Sequence, residues 1–241
     1  IGWFQTFVCF VIMVYYGAVL AWGVQYTIYS VNEAWGSDPT TFFTDSFLQV
    51  VPGDTFSWAP AWSVAIPLAL VWILVLFVIG RGLSKGVEAA NKIFLPLLVI
   101  LFLALVVRAL FLPGAVEGLN AFFTPNWSAL ADPKVWLAAF AQIFYSLSVG
   151  FGIMLTYASY LKPKSNLTGT ALVAGFANSS FEILAGIGVF SAIGFMAHQG
   201  GVSVSEVEGL TGPILSFVTF PKIISMMPGG PLFGVLFFSS L

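Results

Sequence analysis

The chain has 241 residues, 59% of them hydrophobic and only 7% charged, with a formal net charge of −2. A water-soluble domain carries about 25% charged residues, so this chain cannot cover itself with polar surface, and lipid must solvate much of it. A single cysteine, Cys9, excludes a disulfide framework, and a single histidine leaves little for metal or acid–base chemistry.

Charged side chains are missing between Ile1 and Glu33, between Asp54 and Arg81, between Lys134 and Lys162, and after Lys222. A helix needs roughly 20 apolar residues to cross the hydrocarbon, so each gap has room for a membrane helix. The first predicted span is Phe4–Tyr29. It leads into an acidic segment, 31–60, that holds Glu33, Asp38, Asp45 and Asp54 without any Lys or Arg. Within that segment Asp38–Gln49 is amphipathic enough for short helices. The second span is Trp58–Gly80, followed by a basic loop, 81–92, with Arg81, Lys85 and Lys92. The third is Ile93–Leu112, which includes Arg108 near its end. Next comes Val135–Tyr160, then the basic loop 161–166 with Lys162 and Lys164. The fifth span, Leu167–Ala197, carries Glu182 near its middle. Gly212–Met227 is likewise amphipathic enough for short helices, and it resembles a re-entrant hairpin over the pore. The last apolar run, Pro231–Leu241, is too short to cross. We expect one transmembrane domain of a longer protein with both ends missing, and no secretory signal is readable. The basic loops are expected in the cytoplasm and the acidic segment outside. Trp3, Trp22, Trp35, Trp58, Trp62, Trp127 and Trp136 lie mostly near predicted span ends, as in an aromatic belt.

Two of the spans are unusual inside. The middle of Val135–Tyr160 reads Tyr145-Ser146-Leu147-Ser148-Val149-Gly150-Phe151-Gly152. Glycine and serine both weaken a helix interior. Unwound backbone at membrane depth is tolerated only against protein or a water-filled cavity, and transporters use such breaks to present free carbonyls to substrate and ions. The other reading is close helix packing on small residues. The following span holds Asn178, Ser179, Ser180 and Glu182. An ionisable residue inside a span marks a functional site, against the alternative of a structural glutamate bonded to neighbouring hydroxyls. Asn178 lies four residues before Glu182, on one helical face. An amide oxygen and a carboxyl there suit a hard monovalent cation. The run Gly80-Arg-Gly-Leu-Ser-Lys-Gly follows no strand and fits neither phosphate-binding pattern.

The run Gly118–Tyr160, with its broken-helix motif, strongly resembles the neurotransmitter:sodium symporter family, which has the LeuT-type fold. Tyr15-Tyr16, Gly80–Pro96, Asn178 and Gly212-Pro213 match as well. The resemblance implies an all-α polytopic membrane protein of inverted-repeat transporter fold with one discontinuous helix. The spans are similar to the family's third to early eighth helices. Carried over residue by residue, it implies that Tyr16 holds a substrate carboxylate and Ile12 walls the pocket one turn earlier. Tyr145 is the expected aromatic lid, at a position where the family usually has phenylalanine. Ser146 and Asn178 are the expected sodium ligands, with serine in place of the commoner threonine. Ser148, Gly150 and Phe151 are expected around the substrate side chain. Glu182 stands where chloride-dependent relatives have serine, and Gln142 and Ser146 match the other chloride-site positions. The carboxylate is therefore expected to replace chloride.

The function so implied is sodium-coupled import of amino acids or related small amines across the plasma membrane, independent of chloride. Sodium is the expected coupling ion. The expected partners are a small-molecule substrate and the lipid bilayer, with no nucleic acid. No His-rich cluster, carboxylate dyad or GxSxG motif points to an enzyme. A channel or a non-transporting membrane sensor of the same fold is the alternative.

Overall fold

A computed structural model describes residues 2–50, 59–162, 164–207 and 212–241 of the chain. The described residues form helices joined by turns, with no strand among them. The apolar stretch after the N-terminus forms helix α1 (Gly2–Tyr29). Beyond it, Asp38 caps a short helix, α2 (Pro39–Thr41), by accepting from the backbone N–H groups of Thr40 and Thr41. A π-helical turn over Phe42–Phe47 continues α2. Helix α3 (Trp62–Gly80) is apolar along most of its length, and helix α4 (Ala89–Leu110) is apolar between Lys92 near its start and Arg108 near its end. Each carries an internal proline, Pro67 and Pro96, which membrane helices tolerate. The predicted start of α3 at Trp58 lies outside the described residues.

Helix α5 (Ala115–Phe123) is short and amphipathic. Helices α6 (Pro133–Ser146) and α7 (Ile153–Ser159) are two halves of one element, separated by the unwound segment Leu147–Gly152. Helix α8 (Leu167–Gly200) is long enough to cross a bilayer with turns to spare. Four described helices have the length and apolarity of membrane spans: α1, α3, α8, and α4 with its lead-in from Gly86.

The hairpin expected over Gly212–Met227 is instead one helical run. It consists of α9 (Gly212–Ile214), a π-helical stretch Leu215–Thr219, and α10 (Phe220–Met226). Pro213 sits in the opening turn, where its missing N–H costs nothing. Pro221 cannot donate to the carbonyl four residues back, and the ladder shifts to π spacing just before it. Helix α11 (Gly230–Ser240) follows.

Packing joins α1 to α3 and α11, α4 to α8 and α11, and α5 to α8. The α5–α8 contact is made backbone to backbone. A Cβ on Gly118 would lie 1.8 Å from the carbonyl oxygen of Phe190, and one on Gly194 would lie 2.4 Å from that of Gly114. No other residue fits at that approach.

The dominant core is aromatic. Tyr26 is fully buried among Trp35, Phe43, Phe47, Phe217 and Phe238. Its ring stacks on Trp35 and meets Phe47 and Phe217 edge to face. Each such pair contributes about 0.5–1.5 kcal/mol beyond its buried area. Trp22 joins the cluster against Phe43 and Phe217. Trp22 and Trp35 are therefore core residues rather than belt residues. Trp35 also donates from Nε1 to Ser225 Oγ at 2.8 Å, tying the turn after α1 to α10. Trp3, Trp62, Trp127 and Trp136 stay exposed.

Candidate functional site

The site forms where the helix α6–α7 is broken. Its first half ends in a Schellman motif: Val149 N–H reaches back to the Phe144 carbonyl at 2.9 Å, and Ser148 N–H to the Tyr145 carbonyl at 3.1 Å. That motif requires a left-handed residue at Ser148, which has φ +52°. Gly150 and Gly152 also have positive φ, at no steric cost. The chain thus turns out of the helix and back into it within six residues. Among the described residues, no backbone N–H donates to the carbonyls of Ser146, Leu147, Val149 or Gly150. These are free acceptors. The Phe151 carbonyl accepts from the Cys9 thiol of α1 at 3.0 Å.

Beside the break, three of the sequence-predicted residues meet. Ser146 Oγ donates to Glu182 Oε1. Asn178 Nδ2 donates to Ser146 Oγ at 2.5 Å and to Glu182 Oε1 at 3.1 Å. All three are partly buried. Asn178 and Glu182 come from successive turns of α8, while Ser146 is the last residue of α6, so the cluster joins the broken helix to its neighbour. The donor set is a hydroxyl, an amide and a carboxylate. With the Asn178 amide turned over, since its oxygen and nitrogen are placed by their hydrogen bonds, it offers oxygens alone.

On the other side of the break, Tyr145 sets its ring edge to face on Phe151, with centroids 6.3 Å apart. Its hydroxyl bonds to that of Tyr15 on α1 at 2.9 Å. Tyr16 lines an apolar groove of about 700 Å³ with Val19, Leu20, Val71, Phe217 and Phe238. Ile12 is half-buried on α1. Ser148 and Gly150 belong to the unwound segment itself. Gln142 is exposed on α6, one turn before Ser146, and its side chain makes no hydrogen bond among the described residues.

Cys9 and Tyr15 are contacts that the sequence reading missed. Their signal is positional. Cys9, Ile12 and Tyr16 recur at i, i+3 and i+7 on one face of α1, and Tyr15 lies beside that face. Polar atoms along a stripe of an otherwise apolar helix point to an opposing polar segment.

The broken helix thus sets free carbonyls beside a serine–asparagine–carboxylate cluster, and secondary transporters use helix breaks of this kind to present carbonyls to solutes. The sequence profile of the Sodium:neurotransmitter symporter family matches residues 33–241. The chain belongs to that family.

Similar proteins agree. One is an uncharacterised sodium-dependent transporter of Methanocaldococcus jannaschii, 40% identical over the whole of this chain and 49% of its own length. The sodium- and chloride-dependent creatine transporter 1 of Bos taurus is 36% identical over 83% of this chain and 31% of its own length. The sodium- and chloride-dependent taurine transporter of Rattus norvegicus is 31% identical over 100% and 44%. The chain spans about half the length, or less, of these relatives. Members of the family are transporters rather than enzymes. The fold is therefore that of an all-α, multi-pass membrane transporter with one discontinuous helix.

Proposed function

We propose that the protein carrying this chain is a sodium-coupled symporter that imports an amino acid or a related small amine across the plasma membrane. The observation that carries the reading is the meeting of Ser146, Asn178 and Glu182 at the end of an interrupted helix. Sodium binds at Ser146 Oγ, the Asn178 amide oxygen and neighbouring free carbonyls of the break. Substrate lies beside it, along Tyr145, Ser148, Gly150 and Phe151, with its carboxylate on the Tyr16 hydroxyl and Ile12 walling the pocket. The relatives named for creatine and taurine support a small solute as cargo. The charge pattern supports an orientation with the acidic segment 31–60 outside and the basic loops 81–92 and 161–166 in the cytoplasm.

Glu182 decides the anion requirement. A buried cation is costly unless a negative charge accompanies it. Glu182 supplies that charge from the protein, with Gln142 one turn away from Ser146, so transport runs without chloride. Uptake by the whole protein in proteoliposomes is expected to require sodium and to persist when gluconate replaces chloride. Glu182→Ser is expected to make uptake depend on chloride. Wild-type uptake that stops without chloride overturns the role given to Glu182. Ion currents without saturable, sodium-dependent uptake overturn symport in favour of a channel.

A further inference from the structure

We propose that the hydroxyl pair of Tyr15 and Tyr145 is a latch that fastens the broken helix to α1, with Tyr15 as the positioning residue for Tyr145. The inference rests on the transport reading above and adds a residue and a device to it.

Among the described residues, two hydrogen bonds tie the broken helix to α1. After the unwound turn, the Phe151 carbonyl receives the Cys9 thiol. Before it, the Tyr145 hydroxyl meets the Tyr15 hydroxyl at 2.9 Å. The two α1 residues are six positions apart, a rise of about 9 Å, so the contacts bracket the unwound turn rather than crowd one spot. Between them the Tyr145 ring lies edge to face on Phe151. Tyr145 thus links the two ends of the break to each other and to α1 at once.

Its neighbour makes this position consequential. Ser146 is anchored to Glu182 and Asn178 on α8. Adjacent residues of α6 are therefore held by opposite walls, Tyr145 by α1 and Ser146 by α8. A cation that reorganises the serine cluster must move the backbone that carries Tyr145, and the latch resists or permits that movement. The character of the contact suits a latch rather than a weld. Both tyrosines are about half exposed, Tyr15 at 45% and Tyr145 at 52%. A hydrogen bond between two neutral hydroxyls contributes only about three- to tenfold to an equilibrium, so the contact can open and reform.

Amide hydrogen exchange in the whole, reconstituted protein tests this, with sodium itself as the probe and potassium as the control. Tyr15→Phe and Tyr145→Phe are each expected to speed exchange across 147–152 about three- to tenfold, the loss of one neutral hydrogen bond. The double variant is expected to be no faster than either single variant, because both remove the same bond. Peptides of the α5–α8 contact serve as the internal reference and are expected to hold their rates. Multiplying effects in the double variant, an effect of Tyr145→Phe alone, or faster exchange in the reference peptides each overturns the latch. If sodium protects 147–152 in no variant and not in the wild type, the sodium-site reading fails instead, and the two failures are distinct.

Discussion

At the scale of single residues, backbone strain sits at Ser148 in the middle of the helix break. The Schellman turn requires a left-handed residue there, and a side chain in that region costs about 1–2 kcal/mol. Glycine is the residue that local energetics favour, yet serine is present. Stability is expected to rank Ser148→Gly at or above wild type and Ser148→Val about 1–2 kcal/mol below it, read from thermal or denaturant unfolding of the purified protein in detergent. Valine as stable as serine would show that the turn does not hold this geometry. The break itself is legible in sequence, because two serines and two glycines within seven positions weaken a helix. The partners of each side chain are not. Nothing local separates Tyr15 from Tyr16, and only the fold shows that the first meets Tyr145 while the second lines the apolar groove.

At the scale of elements, hydropathy locates the long helices because solvation by lipid is a local property of a segment. It fails where a helix end is set by a cap or a proline. The Gly212–Met227 segment carries Pro213 and Pro221 and yet runs as one helix, because the first sits in an opening turn and a π stretch absorbs the second. Trp22 and Trp35 mislead for a related reason: they lie near span ends, where belts form, but face inward on the aromatic core. Capping also makes one short element, α2, sensitive to acid. The Thr41 hydroxyl, with the backbone N–H groups of Thr41 and Thr40, holds the Asp38 carboxyl below its ordinary value. Ionised Asp38 therefore favours the folded turn at pH values above its unfolded pKa of about 3.9. That contribution disappears as pH falls through the lower folded value. Exchange protection of the Thr40 and Thr41 amides is expected to hold from about pH 7 to 5 and to fall toward about pH 3. Asp38→Asn is expected to flatten that dependence. An unchanged profile in the variant would mean another group controls the turn.

At the scale of the whole molecule, one family of contacts sets the stiffness. Gly118 and Gly194 let α5 and α8 meet with no side chains between them. Gly118→Ala places a methyl group where the Phe190 carbonyl already is, and the protein is expected to lose about 1–3 kcal/mol, measured as a lowered unfolding midpoint. Retained stability would show that α5 rests on α8 loosely. The sequence gives little warning of this contact, since its glycines are spread over two elements far apart in the chain and become a pair only when those elements pack. The consequence is mechanical. From Asn178 in the serine–asparagine–carboxylate cluster to Gly194 at the α5 contact, α8 is a rod of about 24 Å. Two backbones pressed together cannot slide past one another, so α5 rides on the far end of that rod. A tilt of about 5° pivoting at the cluster carries that end about 2 Å. Helix α8 is then a stiff arm, with the Ser146–Asn178–Glu182 cluster at one end and the α5 contact at the other.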